Sequence, residues 1–247
     1  MAEEGGDGGN GGEQGRGWLH DEGGTAYPPG PWHLGGALRV SVLLVPRDRL
    51  PREVTAATPA GVAPVVARGR AVVGVAFARY APGGVLAYDE LLVAVLGRRG
   101  PVPCATIPWI AVDSPASCAG ARALWAIPKE LARFAVDGAA ASGGGDERWT
   151  ATVGGEPVAA LHARPARALP APPGRWPVVL PTAQRLDGTV AFARNRIAAR
   201  PRPLRAAWTF APSGPLGWLA GGRQVLSVAL EDAVLVFGAK VTRPPEG

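Results

Sequence analysis

RAVVGVAFARYAPGGVLAYDELLVAVL, residues 70–96, decides the fold class. Two valine-rich runs, 70–80 and 85–96, flank the turn residues Ala81-Pro82-Gly83-Gly84. Runs rich in β-branched and aromatic residues, bounded by Gly and Pro, read as strands, and a short Pro/Gly connection joins such a pair as a hairpin. The same texture extends in both directions. LRVSVLLV (38–45) lies upstream; WTATVGG (149–155), PVAALHA (157–163), WPVVLP (176–181), LRAAWTF (204–210), VLSVAL (225–230) and AVLVFGAKV (233–241) lie downstream. With 35 Gly and 26 Pro to supply the turns, the chain reads as mainly β, an antiparallel barrel or sandwich.

Helices are few. Ser114 can cap a helix over 115–125, with Pro115 suited to its first turn. Pro128 ends it, because the residue before a proline is pushed out of the helical region. PREVTAATP (51–59) reads as a second, short helical stretch, and the Gly-rich DGAAASGGGDE (137–147) as a flexible loop. Residues 1–26 are rich in Gly and acids and are expected to be a disordered tail, since such a composition buries too little apolar surface to offset the entropy of ordering. Residues 27–247 then form one domain.

Composition excludes several classes. No apolar run approaches the ~18 residues of a membrane span. The N-terminal segment lacks the basic and apolar regions of a signal peptide, so a cytoplasmic protein is expected. Cys104 and Cys118 are then expected to be reduced. The net charge of +6 is spread out except in RNRIAARPRPLR (194–205), and aromatics are not interleaved with it as base-stacking platforms would be, so nucleic acid is not the expected partner. His20, His33 and His162 have no metal-ligand spacing, and no dinucleotide, phosphate-loop or nucleophile-elbow motif is present.

One feature resists the bland reading. Of 26 basic residues only Lys129 and Lys240 are lysine. In so Arg-biased a chain, arginine would serve wherever charge alone sufficed. Only lysine can lose a proton and attack a carbonyl. In AYDELLVAVL (87–96) a carboxylate also lies within a strand, where Asp89 and Glu90 must point to opposite faces.

YPPGPWHLGG (27–36), LAYDELLVAV (86–95) and CAGARALWAIPKELA (118–132), in that order, resemble the acetoacetate decarboxylase family. Its members show a proline-rich lead-in ending Pro-Trp, a Tyr-x-Glu in a strand, and Gly-Arg-Glu followed by Trp-Gly-x-Pro-Lys. The resemblance spans roughly residues 27–241 and implies a closed antiparallel β-barrel with a few flanking helices, usually a homo-oligomer. It implies that Lys129 forms a Schiff base with a small keto acid, that Glu90 shares its pocket as a second catalytic residue, and that Tyr88, Arg122 and Trp125 contact the substrate. Such chemistry needs no cofactor or metal. The expected reaction is decarboxylation of a β-keto acid.

The chain departs from the family pattern. Glu130 replaces the second lysine of Pro-Lys-Lys, although neighbours in an extended segment point to opposite sides. Gly-Arg-Glu becomes Ala121-Arg122-Ala123. The arginine near the start of the family pattern falls around Gly35–Gly36, and a further acid near Val75. An aldolase or dehydratase using the same lysine is therefore an alternative, as is a non-catalytic barrel that binds a small apolar ligand.

Overall fold

The computed structural model describes residues 17–138, 145–166 and 174–244. In chain order its elements are β1 (Leu19–His20), β2 (Ala26–Tyr27), β3 (Trp32–Pro46), α1 (Arg52–Ala57), β4 (Val62–Pro64), β5 (Val66–Ala67), β6 (Arg70–Tyr80), β7 (Tyr88–Arg99), β8 (Val102–Val112), α2 (Pro115–Trp125) and β9 (Lys129–Leu131). The second half contributes β10 (Arg133–Gly138), β11 (Glu147–Val153), β12 (Glu156–Pro165), β13 (Trp176–Val179), β14 (Thr182–Leu186), β15 (Thr189–Phe210) and β16 (Arg223–Thr242).

The quoted hairpin forms, its second strand running from Tyr88 to Arg99 and not from residue 85, with Tyr80 opposite Tyr88 and Ala78 opposite Glu90. Seven strands then close a ring in the order β15, β14, β8, β7, β6, β3, β16 and back to β15. The pairings are antiparallel except between β14 and β8, which meet in parallel at one residue pair, Thr182 with Ala105. β9 also lies parallel to β8, outside the ring path. The C-terminal part of β15, Leu204–Phe210, leaves the ring to pair with β12, and β10, β11 and β12 continue this second sheet.

Strand alternation divides the apolar residues between two cores. Phe77 and Leu91 face out of the ring and pack with Trp149 and Leu161 of the second sheet. Tyr80, Tyr88, Trp32 and Ile110 face inward and are sealed by Trp125 of α2. Ser114 caps α2 by accepting from the N–H of Ser117 at 3.2 Å. The helix ends in a left-handed Ala126 whose N–H returns to Arg122. Ser117, Ala121 and Trp125, spaced four apart, form its buried stripe.

Gly120 lets α2 approach the ring. A Cβ there would lie 2.5 Å from the ring of Trp32, a residue 1% exposed whose indole N–H is tied to the carbonyl of Pro28. Gly120→Ala should therefore lower stability by about 1–3 kcal/mol despite alanine's better helix propensity. Urea unfolding would measure it, and an unchanged midpoint would show that Trp32 yields freely.

Of the expected 1–26 tail, residues 1–16 lie outside the described residues, but residues 17–26 are ordered: β1 and β2 pair as a hairpin, with Asp21 accepting from the N–H of Thr25 at 2.7 Å. Most of the 137–147 loop, residues 139–144, also lies outside the described residues. The arginine-rich 194–205 segment lies within β15. Its arginines at 194, 196, 200 and 202 are exposed, while Ala193 and Ala199 point inward. No helix among the described residues is long and apolar enough to cross a membrane.

Candidate active site

Lys129 follows the Ala126–Pro128 turn and enters β9 beside Ile110 of β8. This register directs its side chain into the ring and Glu130 the other way. Lys129 is 5% exposed and Glu90, from β7, 3%. The lysine Nζ donates to Glu90 Oε2 at 2.7 Å, to Ser117 Oγ at 2.9 Å and to Tyr88 Oη at 3.4 Å. An ammonium has three protons to donate, and here each has an acceptor. The same nitrogen lies 4.9 Å from the centroid of the Tyr88 ring. Tyr80 donates to the other carboxylate oxygen, Oε1, at 3.1 Å.

These polar groups face an otherwise apolar cavity of about 50 Å³, walled by Trp32, Leu34, Ile107, Ile110, Trp125 and Phe237 among others. Burial, then the negative charge of Glu90, pushes the phenols of Tyr80 and Tyr88 well above their ordinary range. Both therefore stay protonated; Tyr80 donates to Glu90, while Tyr88 accepts from Lys129. Outside the cavity, burial raises the Glu130 carboxyl.

Four of the five residues singled out from the sequence, Lys129, Glu90, Tyr88 and Trp125, line this one cavity. Arg122 does not. It follows Ala121, so its side chain leaves α2 about 100° round from the buried stripe. Its Nη1 donates to the carbonyl of Lys129 at 3.3 Å and its Nη2 lies 3.5 Å from Asp187 at the surface. Asp89, the neighbour of Glu90, points outward and is clamped by Arg79 at 2.8 and 2.7 Å. Val75, near which the family's further acid falls, belongs to the outer core.

Sequence reasoning passed over Ser117 and Tyr80. The four-residue spacing of Ser117, Ala121 and Trp125 would have flagged the serine, and the hairpin register the tyrosine. Cys104 and Cys118 are free thiols. Among the described residues no three His, Cys, Asp or Glu side chains cluster as metal ligands would.

Fold and site together define a closed β-ring protein built round a buried lysine–carboxylate pair. The family model for acetoacetate decarboxylase matches residues 50–184, more than half of the chain, and the chain belongs to that family. No significant match was found among curated proteins. Solved structures with the same fold include an acetoacetate decarboxylase from Legionella pneumophila subsp. pneumophila str. Philadelphia 1 (16% identity, TM-score 0.63, 88% of each chain covered). The enduracididine biosynthesis enzyme MppR complexed with pyruvate is 17% identical, with a TM-score of 0.62 over 92% of this chain and 98% of that one. An acetoacetate decarboxylase-like enzyme from Sphingomonas wittichii RW1 is 14% identical, with a TM-score of 0.60 over 86% and 92%.

Proposed function

We propose that the protein is an imine-forming enzyme in which Lys129 attacks the carbonyl carbon of a keto acid and Glu90 moves the protons. The observation that carries this reading is the 2.7 Å Lys129–Glu90 contact, both partners buried, inside an apolar wall. Such a pair is a poor stability device: replacing a buried ion pair with apolar side chains is often neutral or stabilising. Its presence therefore argues for chemistry.

In the mechanism, Glu90 accepts a proton from Lys129, freeing the nitrogen lone pair. The amine adds to the ketone, and loss of water leaves an iminium. In a β-keto acid the bond to the carboxylate then breaks, CO2 departs, and the electron pair moves to nitrogen as an enamine. Loss of water has by then used the proton that Glu90 took from Lys129, so a proton taken up from solvent through Glu90 goes to the enamine carbon, and addition of water returns the ketone and free Lys129. Tyr80 and Ser117 hold the carboxylate and the amine in position.

A second reading, aldol condensation or dehydration through the same imine, is favoured by one observation. No arginine lines the cavity, and Lys129 is its one cation among the described residues, so nothing else there orients a departing carboxylate. A structural neighbour that holds pyruvate is consistent with either reading.

Incubation with acetoacetate or pyruvate, borohydride reduction and peptide mapping tests the proposal. The expected result is a reduced adduct on the Lys129 peptide; its absence with both acids would move the chain to the binding-barrel alternative. CO2 release from acetoacetate then separates the two enzymatic readings. Glu90→Gln preserves shape and an acceptor for Tyr80, and should slow turnover about 10²–10⁴-fold. Near-native turnover would reduce Glu90 to a counter-ion.

A further inference from the structure

Beyond Leu92 the ring interior stops being filled. A second cavity of about 470 Å³ lies there, walled by inward-facing residues of the same strands: Val40 and Val42 of β3, Gly74 and Ala76 of β6, Ala94 and Leu96 of β7. Every residue that lines it is apolar. Small barrels ordinarily fill their interiors with side chains. Here Gly74, Ala76 and Ala94 occupy positions where larger residues would close the space, and a glycine within a strand often marks the close approach of another group. Trp176 and Val178 of β13 stand at the cavity wall and are 46% and 55% exposed, so the cavity reaches solvent on that side.

Among the described residues Leu92 alone lines both this cavity and the one at Lys129. Glu90, Leu92, Ala94 and Leu96 follow one another on the inner face of β7, a run of roughly 20 Å at ~3.3 Å per residue. The space at Lys129, about 50 Å³, takes little more than a reacting carbonyl group.

We propose that the substrate carries a hydrocarbon tail, which lies along β7 past Leu92 in the apolar half of the ring while its carbonyl carbon reaches Lys129. This rests on the imine-forming reading above and supplies its substrate class, an acyl-chain keto compound. The tail contributes affinity through apolar burial alone, so half-saturating concentrations should fall about two- to fourfold per added methylene until the cavity is full.

Methyl ketones of rising length, acetone, 2-heptanone and 2-undecanone, test this with borohydride trapping on the Lys129 peptide. Half-maximal trapping should require progressively less ketone along the series. Ala94→Phe fills the cavity and should remove the advantage of 2-undecanone while leaving acetone trapping unchanged. Gly74→Val is the second filling variant, since a Cβ there meets only the Ala94 carbonyl, at 3.8 Å. Equal half-maximal concentrations across the series would overturn the tail while leaving the imine intact. If acetone and longer ketones all fail to label Lys129, the imine reading falls. Thermal unfolding then decides the tail by itself: a melting temperature raised by 2-undecanone in the wild type but not in Ala94→Phe supports it, and no rise overturns it. A change of sedimentation in both filling variants, without loss of the length dependence they should remove, would assign the cavity mouth to contact between copies of the chain and also overturn it.

Discussion

Lys129→Arg should abolish borohydride trapping and reduce turnover by on the order of 10³-fold or more. Arginine keeps a cation that can still face Glu90, so the charge balance of the cavity is retained. What it lacks is a nitrogen with a free electron pair, because guanidinium stays protonated throughout the accessible pH range. The substitution therefore separates charge from nucleophilicity, and circular dichroism would confirm that the larger head group is accommodated. Lys240, exposed on β16, provides the internal control: Lys240→Arg should leave activity and labelling unchanged. Turnover in Lys129→Arg, or an adduct on Lys240, would end the imine reading.

The second large effect concerns stability. Arg39, 3% exposed on the outer face of β3, clamps Glu147 of β11 at 2.8 and 2.7 Å and reaches Glu231 of β16 at 3.0 Å. Trp149 donates to the same Glu147 at 2.9 Å. Arg39→Met leaves the Glu147 carboxylate buried without its cation and should cost about 3–5 kcal/mol, or roughly 6–20 °C in melting temperature. Adding Glu147→Leu should recover much of that loss, which a double-mutant cycle would quantify.

The same pair sets an acid limit. Burial alone would raise the Glu147 carboxyl, but the hydrogen bonds from Arg39 and Trp149 and the Arg39 charge outweigh it and hold the group below its ordinary value. A carboxyl depressed by folding adds stability that is present above the unfolded value of about 4.3 and disappears as pH falls through the folded one. Unfolding free energy should therefore drop on acidification below about pH 4, and less steeply in Glu147→Gln. Parallel pH profiles would argue against this assignment.

Much of this was legible in advance because its signals are local. Period-two apolar runs and Pro/Gly turns place the hairpins, and Ser114, Pro115 and Pro128 bound α2. The Tyr-x-Glu and Pro-Lys pairs led to Lys129, Glu90, Tyr88 and Trp125, which the ring does bring together. Arg122 misled because its neighbour Ala121, not Arg122 itself, belongs to the buried helical stripe. Ring closure was implied only by the family resemblance, for a different reason. It depends on β15 meeting β16 and β8 meeting β14, contacts between distant segments with no local mark. The part of β15 before residue 204 was hidden behind Pro201, Pro203 and its arginines, whose exposed faces mask a row of small inward residues. The cavities were equally out of reach, since an empty volume is a property of several strands at once.

The single-pair junction of β8 with β14 has an evolutionary consequence. There the ring is held largely by side chains: Gln184 imitates a peptide group, accepting from the N–H of Ile107 at 2.5 Å and donating to its carbonyl at 3.0 Å, while Thr106 donates to the carbonyl of Ala183 at 3.0 Å. A backbone ladder survives almost any change of residue, but a stitch made by an amide side chain can be removed by one codon. The perimeter is thus genetically adjustable at this junction and comparatively fixed elsewhere. Descendants of this chain could widen or re-cut their interior there, and so change what fits inside, while inheriting Lys129 and Glu90 on strands that need not move.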